Sequence, residues 1–109
     1  MSRVRKYRVF VHGVNFQFPD PGPAEPLGFY VTAFVEAESP EVAESTTVEL
    51  LRNKPELRDE VLNPHRDPPR LLVEEIEEIS EWPVDTVRPL TGIAFYNDPD
   101  VSWRSNKDI

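Results

Sequence analysis

The sequence predicts a small α+β domain of order β-β-α-α-β-β, a four-stranded antiparallel or mixed sheet with its helices on one face. Three observations predict it. Two early segments alternate apolar and polar residues at the period of a strand. One segment, opened by Ser39-Pro40, repeats its apolar residues at the period of a helix. Two further short apolar runs follow it, separated by proline-rich connectors. The 109 residues form one expected domain, 1–109, with a Pro-rich hairpin loop over 19–27 and a C-terminal tail over 101–109. That length buries a core without metal or disulfide staples.

The first strand is read over Val4–Phe18. Tyr7, Val9 and Val11 alternate with Lys6, Arg8, Phe10 and His12; after Gly13 the apolar parity slips by one, to Val14, Phe16 and Phe18. A glycine at a parity change marks a β-bulge, so the strand is expected to bend at its middle. Pro19, Pro21, Pro23 and Pro26 then make a stiff, extended connector. Hairpin loops usually have about two to five residues, so this longer tip is a candidate contact with another subunit.

The stretch from Leu27 to Arg52 organises the rest. Phe29, Val31, Ala33, Val35 and Ala37 form one apolar face of a strand, and Tyr30, Thr32, Phe34 and Glu36 form a mixed one. Ser39 is a good N-cap, Pro40 suits the first helical position, and Glu41 complements the helix dipole. Val42 leaves the capping box incomplete. The helix, Pro40 to about Asn53, carries Ala43, Thr47, Leu50 and Leu51 on one side with Val48 beside them, a stripe that fits the Val31/Ala33/Val35 face. Pro55 begins a second short turn with Leu57, Val61 and Leu62 expected inward, and Asn63-Pro64 ends it.

Leu71–Ser80 fits two periods. Leu72, Val73, Ile76 and Ile79 make a helical stripe, while Leu71 and Val73 against Leu72 and Ile76 fit a strand. The strand reading is adopted for a global reason: the helical connection from Ser39 to Arg70 is long enough for a crossover and needs a strand to return to. That strand would run parallel to the Leu27 strand, joined right-handedly. Thr91–Tyr96 gives a short last strand, with Ile93 and Phe95 on one face and Ala94 and Tyr96 on the other. Trp103 is expected to tether the tail. The element order is similar in shape to a ferredoxin-like half-unit, a likeness of fold that carries no activity.

Composition narrows the function. A net charge of −8 excludes a nucleic-acid footprint and suits solubility or a basic partner. Zero cysteines removes thiolate catalysis, Cys-ligated metal and disulfides. Arg3, Arg5, Lys6 and Arg8 precede only a short apolar run, so neither a signal peptide nor a membrane span is expected, and a cytoplasmic location is.

No catalytic residue, metal ligand or cofactor is assigned. His12 and His65 are the only histidines, the residue type best suited to general acid–base work, but have no nucleophile or carboxylate at an informative spacing. Glu74, Glu75, Glu77, Glu78 and Glu81 would be dispersed over both faces of a strand, Glu74 and Glu78 opposite Glu75 and Glu77, as a solvated edge that discourages aggregation. Asn97, Asp98 and Asp100 resemble a fragment of a calcium loop but lack its glycine and distal Glu, which makes an Asx turn the better reading. Four glycines cannot build a phosphate loop.

The most informative feature is the mixed sheet face. Arg8, Phe10, His12, Tyr30, Phe34 and Tyr96 are its candidate ligand or interface residues, and so many aromatics exceed what a monomer usually leaves bare. The expected function is a non-enzymatic module that self-associates, as a dimer, or binds another protein. The alternatives are a small-molecule binder or weak enzyme using His12, Tyr30 and Arg8, and an acidic, immunity-type inhibitor of a basic partner.

Overall fold

The computed structural model describes residues 3–20, 22 and 24–97. The elements follow the expected order: β1 (Arg5–Phe16), β2 (Leu27–Ala37), α1 (Pro40–Arg52), α2 (Pro55–Arg58), β3 (Arg70–Ile79) and β4 (Ala94–Asn97). They build a four-stranded α+β sheet of spatial order β3-β1-β2-β4 in which every pairing is antiparallel. Residues 71–79 are strand. Because β2 and β3 both pair antiparallel with β1, β3 runs in the direction of β2, with β1 between them.

The alternation decides which side is core. Tyr7, Val9 and Val11 of β1 and Phe29, Val31, Ala33, Val35 and Ala37 of β2 are buried on the inner face, where Ala43 and Leu51 of α1 and Leu57 of α2 meet them. Small Ala33 and Ala37 let α1 lie close, and full burial of Leu51 contributes on the order of 2 kcal/mol. Ser39 caps α1 as its residue type demands, its Oγ accepting from the Val42 N–H at 3.2 Å. Thr47, buried in the same interface, donates its hydroxyl to the Ala43 carbonyl at 2.9 Å, so no polar atom is stranded. Leu62 departs from the expectation: it is 47% exposed, because its N–H bonds the Gln17 carbonyl at 2.7 Å and the side chain turns outward.

Two bulges shape the sheet. In the β1–β2 ladder the register steps from Gly13↔Phe29 to Phe16↔Leu27, one extra residue on β1. The bulge falls where the parity slips, but Gly13 is still paired and the left-handed residue is Asn15, at φ 62°. Gly13 is required for another reason: a Cβ there would lie 2.3 Å from the Phe29 ring, which crosses over it. In the β1–β3 ladder the register steps from Phe10↔Glu75 to Val11↔Val73, leaving Glu74 as the extra residue.

The connector after α2 satisfies the first bulge. The Asn63 amide accepts from the Gln17 N–H at 3.0 Å and donates to the Asn15 carbonyl at 2.8 Å, taking the place of a neighbouring strand. Asp67 accepts from the amides of Asn15 and Gln17 at 2.8 and 3.0 Å. The last strand is shorter than expected. Residues before it still follow β2 through Phe34 N–H to Pro89 C=O, 2.7 Å, and Thr91 N–H to Thr32 C=O, 2.9 Å, but regular pairing begins only at Ala94. Trp103, the tail 101–109 and the acidic turn at Asp98 and Asp100 lie outside the described residues. No helix among the described residues is long and apolar enough to cross a membrane.

Candidate functional site

The helices cover the inner face, and neither lies on the outer one. The register places Lys6, Arg8, Phe10 and His12 of β1 on it, opposite Glu36, Phe34, Thr32 and Tyr30 of β2. Tyr96 of β4 sits over Gly28, where a Cβ would lie 2.3 Å from the ring; an aromatic side chain on one strand fills the space the glycine leaves on its neighbour.

One row of side chains crosses all four strands in sheet order: Glu74, His12, Tyr30 and Tyr96. The His12 ring stacks on Tyr30 with centroids 4.3 Å apart and an interplanar angle of 15°. Tyr30 stacks in turn on Tyr96 at 5.6 Å and on Phe10 at 5.5 Å. His12 Nε2 is in hydrogen-bond contact with the Tyr96 hydroxyl, and His12 Nδ1 stands 3.6 Å from a Glu74 carboxylate oxygen. When Nδ1 carries the proton toward Glu74, Nε2 accepts from the phenol. Both ring nitrogens therefore have a partner and the imidazole is only 16% exposed, which makes it a fastening across the sheet. The Tyr30 ring, 40% exposed, is what the row presents outward.

Arg8 is held as firmly. Its guanidinium donates to Glu77 at 3.0 Å and lies 3.4 Å from Glu75, and the Glu77 hydrogen bond pushes its pKa further above the ordinary value. The acidic run is thus less dispersed than the strand period implies. The bulge at Glu74 brings that carboxylate to the outer face beside those of Glu75 and Glu77, while Glu78, paired with Tyr7, keeps the opposite parity. The signal was in the sequence: the step from Val73 to Ile76 is odd, the same parity slip that marks the first bulge.

Phe34 does not belong to the open surface. It is 6% exposed, covered by Trp82, whose ring meets it edge-on with centroids 6.2 Å apart. Arg88 and Lys6 lie over the Trp82 ring at 4.8 and 5.7 Å, so the connector between β3 and β4 closes this end of the face. Of the six candidates, Arg8, Phe10, His12, Tyr30 and Tyr96 are brought together and Phe34 is set apart beneath the loop. His65 is exposed in the connector after α2. Among the described residues no group of three or more His, Asp or Glu is close enough to hold a metal ion.

Comparison with protein-family models, with curated proteins and with solved structures finds no match for this chain.

Proposed function

We propose that the protein is a non-enzymatic interaction module that associates through the open half of its outer sheet face, first of all with a second copy of itself. The observation that carries this reading is the stacked set Phe10, Tyr30, His12 and Tyr96, with Tyr30 40% exposed on a surface that neither helix covers. A flat set of rings held by cross-strand contacts keeps its shape on binding, which lowers the entropy cost of association. The face carries both signs, Lys6 and Arg8 alongside Glu74, Glu75 and Glu77, and so can complement itself about a two-fold axis.

Light scattering on the purified chain across a concentration series tests this. A dimer that Tyr30→Asp converts to monomer is the expected result, with the folded state of the variant checked by circular dichroism. A strict monomer at high concentration overturns it. Phe34→Asp is unsuited to the purpose, since it would place a charge under Trp82 and unfold that end of the sheet.

The carboxylates beside the rings support a second reading, an acidic module for a basic protein. Salt separates the two. Copies of charge −8 repel one another, so added salt strengthens self-association, whereas it weakens capture of a basic partner.

A further inference from the structure

A recess lies on the other side of the molecule. It is a half-open cleft of about 540 Å³ between the C-terminal half of α1, α2 and the start of β3. Its apolar lining comes from Phe16, Val48, Leu51, Leu57, Leu71 and Leu72, and three of these, Phe16, Leu51 and Leu57, belong to the buried core. The volume falls within the roughly 300–1,000 Å³ of small-ligand pockets. The charge of the lining runs against that of the chain. Acids outnumber bases 20 to 12 overall, yet the cleft is lined by Arg52 and Arg70 and by no carboxylate. Arg52 makes no ion pair among the described residues, whereas Arg5, Arg8 and Arg58 are each held by Glu or Asp.

We infer that this cleft binds an amphipathic monocarboxylate, its apolar body against the half-buried Val48, Leu71 and Leu72 and its carboxylate toward Arg52 and Arg70. The apolar lining rejects a wholly polar anion such as a sugar phosphate, which would leave its hydroxyls without partners. The guanidiniums select a carboxylate over a neutral head group, because a planar fork matches a carboxylate with two parallel hydrogen bonds. The negative field of the remaining surface repels anions elsewhere and leaves this cleft as the place an anion settles.

The test is titration of the full chain with decanoate, followed by amide NMR, with decan-1-ol as the neutral counterpart. Expected are saturable shifts at Val48, Arg52, Leu57 and Leu71 with decanoate, and affinity for decan-1-ol about tenfold lower or worse. The exposed pair Arg52→Gln with Arg70→Gln, which leaves the core intact, should weaken decanoate by about tenfold and leave decan-1-ol unchanged. Absence of saturable shifts at these amides, equal affinity for acid and alcohol, or indifference to the double substitution would each overturn the assignment. Should the double variant unfold, Arg52→Lys is read instead: it keeps the charge but not the fork, and must weaken decanoate for the assignment to stand.

Discussion

At the scale of single residues, two glycines have the same geometric role and different consequences. An added Cβ at Gly13 or at Gly28 would come within 2.3 Å of an aromatic ring on the neighbouring strand. The ring over Gly13 is Phe29, fully buried and tilted against Phe16 and Phe95, with nowhere to move. The ring over Gly28 is Tyr96, at the sheet edge and half-buried, which can swing out at the expense of its contact with His12. Gly13→Ala should therefore cost on the order of 1–3 kcal/mol in urea unfolding, and Gly28→Ala less. The reverse order would show that the Tyr96–His12 contact, rather than core overpacking, dominates. Asn63 is the residue whose importance was hidden. Its amide bridges Gln17, Asn15 and Asp67, so Asn63→Ala should destabilise by about 1–3 kcal/mol, the cost of leaving part-buried backbone groups unpaired. A loss near zero would mean that water replaces the amide.

At the scale of elements, the capped helix and the two bulges behave as their sequences require. Leu51→Ala removes a fully buried side chain between α1 and the sheet and should cost roughly 2–5 kcal/mol by thermal or urea unfolding. The bulge in β3 makes a sharper test. Deleting Glu74 removes the one unpaired residue of the β1–β3 ladder and leaves every other side chain on its present face. The shortened chain should fold with stability within about 1 kcal/mol of the parent, while His12 loses its carboxylate neighbour. Loss of cooperative unfolding would show that the bulge sets the bend of the strand and not only the aim of Glu74. Both bulges were legible as odd steps in the apolar parity, at Gly13–Val14 and at Val73–Ile76. The second is harder to see because the run is short and glutamate-rich, and a helical period fits it nearly as well.

At the scale of the molecule, one face of the sheet is sealed by helices, and the other is divided between a loop-covered end at Phe34 and an open end at Tyr30. The division sets what each substitution reports: Tyr30→Asp reads association, Phe34→Asp reads folding. It also separates the aromatic face from the arginine-lined cleft beneath the helices, so decanoate binding and self-association should be independent, the dimerisation constant being unchanged in saturating decanoate. A shift in that constant would mean the two surfaces are coupled through β1 and β3.

The sequence by itself determined the elements and their inner faces, since alternation along Tyr7–Val11 and Phe29–Ala37, the Ser39 cap and the Ala43–Leu51 stripe are properties of the chain's own period and terminal residues. Tertiary structure alone decided that β3 pairs with β1, that Trp82 covers Phe34, that Asn63 stands in for a missing strand at the first bulge, and that Arg52 and Arg70 share a cleft. The physical reason is separation along the chain. A local period reports which way a side chain points, but its partner many residues away is fixed only when register and loop closure bring the two together.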